Sequence, residues 1–147
     1  MAAPSTCPPG TYSERASASC SDCPAGTWSG AGSPSCTSCG VGEYSFSRAS
    51  ECTLCAAGTA TDSTGSSSCS ACKAGHFVNA TGRTTCFACE FGTYGPSTGA
   101  AQCLACGLGT YSDAAGASSC TACDGGYYAA AGSSACSKCG SCLLYTS

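Results

Sequence analysis

The sequence contains few charged residues and few large aliphatic ones. Five Lys or Arg and eight Asp or Glu occur among 147 residues, together with a single histidine. These charges are too sparse to form a basic patch for nucleic acid or anionic lipid, or a dense acidic tract. Leu, Ile, Val and Phe are also too scarce to fill a conventional core, so covalent bonds must replace buried area.

Long apolar runs and catalytic motifs are missing as well. No apolar run approaches the roughly 20 residues that span a membrane, so we expect no membrane insertion of this segment. Gly, Ser and Thr dominate without a 3.6-residue apolar period, which argues against helix. No nucleophile stands with a base, no carboxylates pair in a fixed site, and no phosphate-binding loop occurs. The sequence therefore predicts neither an enzyme nor a cofactor.

Cysteine, in contrast, is abundant, with 18 residues in the chain. This content is typical of a disulfide scaffold in an oxidising compartment, so we expect an extracellular or cell-surface location. Cys-x-x-Cys pairs recur at a step of 16 or 17 residues, which indicates a tandem repeat. The pairs are Cys20/Cys23, Cys36/Cys39, Cys52/Cys55, Cys69/Cys72, Cys86/Cys89, Cys103/Cys106, Cys120/Cys123 and Cys136/Cys139.

We divide the chain into a lead at 1–6, eight repeats at 7–138 and the start of a truncated ninth repeat at 139–147. The lead is too short and polar for a secretory signal, and because a disulfide-rich chain must be exported, we expect a longer precursor. The repeat predicts glycine at position 142, where Cys142 stands. Residues 142–147 read as a translated sequencing adapter, and an ordinary diverged C-terminus is the alternative.

The cysteines before Cys142 divide into eight local loops and leave Cys139 for a ninth repeat. A loop of about 15 residues contributes roughly 3 kcal/mol when a disulfide closes it. Sequence alone does not fix the connectivity. The loops of this local scheme are Cys7–Cys20, Cys23–Cys36, Cys39–Cys52, Cys55–Cys69, Cys72–Cys86, Cys89–Cys103, Cys106–Cys120 and Cys123–Cys136.

Two other uses of these cysteines remain open. The same spacing suits a zinc ribbon with four thiolate ligands. Against zinc, the even spacing sets no pair of motifs apart, and the Lys and Arg that usually accompany clustered thiolates are missing. Bonds within each Cys-x-x-Cys motif would make a redox site, but the thioredoxin-like strand and helix context is absent from the sequence.

Glycines mark two turns in almost every repeat, because such turns commonly require positive φ. The first glycine lies three residues after a cysteine, at Gly10, Gly26, Gly42, Gly58, Gly75, Gly92, Gly109 and Gly126. The second lies four residues before the closing cysteine, at Gly32, Gly65, Gly82, Gly99, Gly116 and Gly132, with Ala16 and Arg48 in the other two repeats. Two turns imply two short strands. We therefore predict a small disulfide-rich fold: a linear, solenoid-like rod of β-hairpin modules of 16–17 residues with little or no helix.

An aromatic residue follows the first glycine by two positions in seven repeats, and Ala60 stands in the remaining one. We interpret this set as a structural ladder whose rings cover the disulfides of their own or neighbouring modules. A face that stacks on sugars or another ligand is the functional alternative. The ladder residues are Tyr12, Trp28, Tyr44, Phe77, Tyr94, Tyr111 and Tyr128.

One sequence motif for modification and one unusual side chain remain. Asn79-Ala80-Thr81 is an N-glycosylation sequon in the polar half of its repeat, where we expect an exposed loop. The Ser and Thr residues of the same loops are candidates for O-linked sugars, or simply form solvated turns. His76 has no second histidine or carboxylate cluster beside it in the sequence, so we interpret it as a surface variant of the usual Thr.

Three segments, each closing on Cys-x-x-Cys, resemble a known family: Cys7-Pro-Pro-Gly-Thr-Tyr-Ser, Cys23-Pro-Ala-Gly-Thr-Trp-Ser and Cys106-Gly-Leu-Gly-Thr-Tyr-Ser. They resemble the ephrin-receptor-like cysteine-rich repeats, which look like the first half-module of tumour-necrosis-factor-receptor domains. The resemblance covers Cys7 to Cys139 and implies an extracellular or surface-exposed protein, often a long one in protists and algae. It also implies the closure of Cys7 with Cys20 and its equivalents. The second half-module, which supplies much of the ligand surface in receptors, is missing.

We therefore interpret the chain as a structural rod in a cell-surface or secreted assembly, such as a flagellar hair (mastigoneme), an extracellular filament or a matrix fibre. Its partners would be copies of itself or other filament and matrix proteins, with glycans as further candidates. A stalk or recognition segment of an adhesion or signalling receptor is one alternative. An intracellular zinc-binding or metallothionein-like protein is the other.

Overall fold

The computed structural model describes residues 6–14 and 19–140. These residues contain sixteen two-residue strands and no helix, which confirms the small disulfide-rich all-β fold with hairpins in tandem. The strands are β1 Thr11–Tyr12, β2 Ser21–Asp22, β3 Thr27–Trp28, β4 Thr37–Ser38, β5 Glu43–Tyr44, β6 Thr53–Leu54, β7 Thr59–Ala60, β8 Ser70–Ala71, β9 His76–Phe77, β10 Phe87–Ala88, β11 Thr93–Tyr94, β12 Leu104–Ala105, β13 Thr110–Tyr111, β14 Thr121–Ala122, β15 Tyr127–Tyr128 and β16 Ser137–Lys138.

Eight disulfides close the repeats, and we number modules 1 to 8 by these bonds. The bonds are Cys7–Cys20, Cys23–Cys36, Cys39–Cys52, Cys55–Cys69, Cys72–Cys86, Cys89–Cys103, Cys106–Cys120 and Cys123–Cys136. They are the same eight pairs that the local scheme joins. Cys139 is also disulfide-bonded, and its assignment to a ninth repeat stays a prediction.

The chain divides into two compact units, Met1–Ser70 with Ala80–Thr85 and Ala71–Asn79 with Cys86–Ser147. In the first unit, β1 pairs with β2, β3 with β4 and β5 with β6, all antiparallel. In the second unit, β9 pairs with β10, β11 with β12, β13 with β14 and β15 with β16. Each of these hairpins sets the strand that carries the aromatic position against the strand between the two cysteines of a Cys-x-x-Cys motif.

The first turn of each module depends on a glycine with positive φ. In module 2, the Thr27 N–H donates to the Pro24 carbonyl at 3.1 Å, and Gly26 between them has φ +88°. A turn of this kind needs positive φ at its third residue, which glycine adopts without steric cost. The Thr27 hydroxyl also donates to the Pro24 carbonyl, at 2.7 Å, and so closes the turn a second time.

Small residues and sulfur form the buried interior, because the chain supplies few large apolar side chains. The first cysteine of modules 1 to 7 is at most 1% exposed. The residue after the aromatic position is buried in six modules, as Ser29, Ser45, Val78, Gly95, Ser112 and Ala129. Val78 is the largest side chain that is completely buried. The disulfides are therefore the centre of the core as well as its covalent closure.

Modules 4 to 7 contain one more residue between their bonded cysteines than the other modules, 14 positions against 13. The additional residue lies between the aromatic position and the second turn. In module 4 this segment includes Asp62, Ser63 and Thr64, all exposed. Because the insertion is accommodated at the surface, the buried positions keep the same order in modules of both lengths.

Candidate functional site

The most regular feature of the chain is the junction between successive modules, which backbone atoms form. At the junction of modules 2 and 3, the Gly26 N–H donates to the Ser45 carbonyl at 2.9 Å, and the Ser29 N–H donates to the Ala49 carbonyl at 3.2 Å. The first type of bond recurs in Gly10–Ser29, Gly42–Thr61, Gly75–Gly95, Gly92–Ser112 and Gly109–Ala129. The second recurs in Ser13–Ser33, Ser45–Ser66, Thr61–Arg83, Val78–Ala100, Gly95–Ala117 and Ser112–Ser133.

A third junction bond runs from the second turn of one module back to the first cysteine of the module before it. Donor and acceptor pairs are Gly32–Cys7, Arg48–Cys23, Gly65–Cys39, Gly82–Cys55, Gly99–Cys72, Gly116–Cys89 and Gly132–Cys106, at 2.6–2.9 Å. The donor at the second turn has positive φ in all of these modules, including Arg48 at +61°. Since none of these bonds uses a side-chain atom, the junction tolerates variation in the side chains around it.

The first glycine also contacts the module after next. A Cβ atom placed on Gly26 would overlap the carbonyl oxygen of Gly65 in module 4 and lie 2.8 Å from its carbonyl carbon. Equivalent overlaps occur between Gly10 and Arg48, Gly42 and Gly82, Gly75 and Gly116, and Gly92 and Gly132. At these positions glycine is required both for its φ and for the space that another backbone occupies.

Buried hydroxyl groups add a side-chain bond to some junctions. The Ser29 hydroxyl donates to the Thr11 carbonyl at 2.8 Å, and the Ser45 hydroxyl donates to the Thr27 carbonyl at 2.9 Å. Both serines are 2% exposed. Sequence reasoning missed this core position, although a signal was present: the residue after the aromatic position is Ser, Thr, Val, Gly or Ala in every module.

The disulfides determine which cysteine chemistry this structure supports. All cysteines from Cys7 to Cys136 belong to the eight bonds, so their sulfurs have no thiolate to offer a zinc ion. The bonds also join different motifs rather than the two cysteines of one Cys-x-x-Cys. The structure therefore contains neither the zinc-ribbon arrangement nor the redox pairing for these cysteines.

The aromatic ladder positions lie at the edge of the core. Tyr128 is 55% exposed and the buried Ala60 is 6% exposed, while the other rings are half-buried. Ring contacts join Tyr44 to Phe46, with centroids 5.5 Å apart, and Phe77 to Phe87, at 6.2 Å. Each of these contacts pairs one ladder residue with a phenylalanine outside the ladder, in the same module for Phe46 and on the paired strand β10 for Phe87.

The remaining singled-out residues have separate surroundings. Asn79 and Thr81 of the sequon are exposed and follow the buried Val78. His76 is half-buried rather than fully on the surface, and its Nδ1 lies 3.4 Å from the Ala74 carbonyl oxygen.

In residues 6–14 and 19–140, no helix is long and apolar enough to cross a membrane. Over the same residues, no group of three or more His, Cys, Asp or Glu is placed to hold a metal ion.

Comparison with known families supports the interpretation of the repeats. Residues 75–123 match the family model described as tyrosine-protein kinase ephrin type A/B receptor-like. The match extends from the first glycine of module 5 to the first cysteine of module 8, and together with the regular disulfides it confirms the resemblance to ephrin-receptor-like repeats. No curated protein matches the chain. The matching repeats suggest an extracellular structural or receptor-stalk module.

Proposed function

We propose that this chain is a structural segment of a cell-surface or secreted filament, in which the modules form a rigid rod. A flagellar hair or a matrix fibre is an assembly of this kind. The match to ephrin-receptor-like repeats supports an extracellular setting, and the eight disulfides suit an oxidising one. The repeat family also suggests a module without enzymatic activity, and we propose no catalytic role for this one.

The observation that carries the proposal is the uniform junction. Each module is closed by its own disulfide, and within each of the two compact units successive modules are bonded through their backbones by the same kinds of donor and acceptor. In repeat proteins, contacts of this kind between neighbours determine the stability of the whole array. Equivalent junctions of this kind, repeated in both units, suit a filament component.

We propose as partners copies of this chain or other filament and matrix proteins, because equivalent modules present equivalent faces to a neighbour.

We also propose that Asn79 carries an N-linked glycan. Its exposed side chain and the exposed Thr81 meet the requirement that a sequon lie at an accessible loop. A glycan at that loop would keep one side of module 5 clear of lateral contacts.

Small-angle X-ray scattering of the oxidised, secreted chain tests the rod. A compact domain of this length would have a radius of gyration of about 15 Å. We expect a clearly larger radius and the cross-sectional scattering of an elongated particle. A radius near that of the compact domain would refute the rod.

Intact mass before and after peptide N-glycosidase treatment, with Asn79→Gln as the control, tests the glycan separately.

A further inference from the structure

Modules 7 and 8 form a groove whose lining side chains play no part in the backbone bonds of the junction. Its volume is about 370 Å³, within the range of about 300–1,000 Å³ that small-molecule sites occupy. The groove is lined by, among others, the side chains of Tyr111, Asp113, Thr121, Asp124, Tyr127 and Ser134. Cys136, bonded to Cys123, lines it as well, so a disulfide fixes part of the wall.

Tyr127 makes this part of module 8 different from the other modules. Its position is threonine in five modules, where the hydroxyl donates to a carbonyl of its own turn and leaves no ring at the surface. In module 8 the Tyr127 N–H still donates to the Asp124 carbonyl, at 3.1 Å, but the side chain is 46% exposed and faces the groove. The turn is therefore preserved while its side chain becomes available to a ligand.

Two carboxylates line the groove at this junction, and the equivalent positions of the other junctions do not combine two acidic residues. Asp113 is the seventh residue after the first cysteine of module 7, and Asp124 is the first residue after that of module 8. The corresponding pairs at the preceding junctions are Glu14/Pro24, Gly30/Gly40, Phe46/Ala56, Asp62/Lys73, Asn79/Glu90 and Pro96/Gly107. Only the last junction combines two acidic side chains, and the groove brings them to one surface together with two tyrosine rings.

We propose that this groove binds an organic cation, an ammonium or guanidinium group. The faces of aromatic rings attract cations, and carboxylates add direct charge attraction. No basic side chain is among the residues that line the groove; Lys138 lies opposite Tyr127 in the β15–β16 hairpin but does not line it. A neutral sugar could stack on the rings and hydrogen-bond to the carboxylates, but it would lack the direct charge attraction that a cation gains from them.

The cation could belong to a small molecule or to a Lys or Arg side chain of a partner protein, and two probes distinguish these sources. Tetramethylammonium represents a free quaternary ammonium ion, and a lysine-containing tripeptide with blocked ends represents a protein side chain. Each is titrated into the oxidised 147-residue chain at constant ionic strength, with 1H–15N NMR spectra as the readout. Methyl glucoside serves as the neutral probe.

We expect saturable shifts of the Tyr111, Asp113, Asp124 and Tyr127 amide signals with at least one cationic probe. Tyr127→Thr, which restores the common residue, and the double variant Asp113→Asn/Asp124→Asn should each weaken binding about fivefold or more, a change of roughly 1 kcal/mol. Asp62→Asn is the matched control, because it removes an exposed carboxylate of module 4, far from the groove in sequence, and should leave the affinity unchanged.

Three results would overturn the proposal. The first is the absence of saturable shifts with both cationic probes. The second is binding that the groove variants weaken no more than Asp62→Asn does. The third is saturable binding of methyl glucoside in place of the cations, which would identify the groove as a sugar site. Spectra of the free variants that retain the dispersed signals of the parent show that any loss of binding is not a loss of folding.

Discussion

Modules 2 and 8 have the same cysteine spacing and nearly the same first turn, yet their first glycines have different surroundings. Gly26 and Gly126 have φ values of +88° and +87°. Gly26 is buried and packs against the backbone of Gly65, whereas Gly126 is exposed and a Cβ atom placed on it would meet no described residue within 4 Å. The bonded cysteines follow the same pattern, since Cys23 is completely buried and Cys123 is half-buried.

This difference separates two requirements that the repeat combines. The turn needs glycine in both modules because of its φ. Of these two modules, only module 2 also has the backbone of the module after next close to its first glycine. The sequence repeats glycine at both places, so the pattern of residues does not distinguish a glycine that serves its own turn from one that also holds the array together.

Removal of a disulfide should have the largest effect and should depend on the module. A bond that closes a loop of this size contributes about 3 kcal/mol. We expect Cys39→Ala/Cys52→Ala to cost that amount and about 1 kcal/mol more for the buried Cys39 sulfur, compared with Cys123→Ala/Cys136→Ala. Both loops have the same 13-residue separation. Guanidinium unfolding measures both losses, and equal losses would show that burial of the first cysteine contributes nothing.

Substitution of the two glycines should separate turn from packing. Gly126→Ala should cost about 1–2 kcal/mol, because alanine is strained at positive φ. Gly26→Ala should cost about 1–3 kcal/mol in addition, because its Cβ would overlap the Gly65 carbonyl. Differential scanning calorimetry of the two variants gives the comparison. If Gly26→Ala is no more destabilising than Gly126→Ala, the contact with the module after next is not required.

The buried hydroxyl at a junction should have a smaller effect. Ser45→Ala removes the donor to the Thr27 carbonyl from a site that is 2% exposed, and should cost about 1 kcal/mol. Module 8 has Ala129 at the equivalent position, so the module itself tolerates alanine there. The exposed Ser47→Ala in the same module is the control, and thermal unfolding of both variants decides whether the hydroxyl contributes.

The substitution Arg48→Gly should have the smallest effect, and it should stabilise the chain rather than destabilise it. Arg48 has φ +61° at a turn where six modules have glycine, so Arg48→Gly should stabilise the chain by about 0.5 kcal/mol. The variant also loses the ion pair with Asp22, at 3.2 Å, but both side chains are more than half exposed and the pair contributes little. Asp22→Asn removes the pair alone and should leave the melting temperature unchanged. Destabilisation by Arg48→Gly would show that the arginine side chain has a structural role.

Much of the fold follows from residue spacing, because each module closes within itself. The even Cys-x-x-Cys motifs and the two glycines per repeat predict short hairpins between turns, and the structure contains them. Spacing does not predict which carbonyl approaches Gly26 from another module, since that contact joins residues 39 positions apart (26 to 65). The aromatic positions predict a ladder of rings that cover the disulfides, but sulfur and small residues such as Ser29 are more deeply buried than those rings.

The candidate groove was less predictable than the fold. Tyr127 occupies a position that is threonine in most modules, and only its neighbour Tyr128 belongs to the predicted ladder, so the repeat pattern assigns Tyr127 no role. Asp113 and Asp124 are eleven positions apart (113 to 124), and only the packing of module 7 on module 8 brings them to one groove. A comparison of equivalent positions at successive junctions would have revealed the pair of acidic residues.

Amide hydrogen exchange of the first glycines, followed by NMR on the oxidised chain, tests most directly whether backbone bonds join successive modules. The N–H groups of Gly26, Gly42 and Gly92 donate to carbonyls of the next module at 2.8–2.9 Å. We expect these amides to exchange at least about tenfold more slowly than that of Gly126, since breaking such a bond requires a module junction to open. Equal and fast exchange at all four glycines would contradict the account, because successive modules would then be joined by the covalent chain alone.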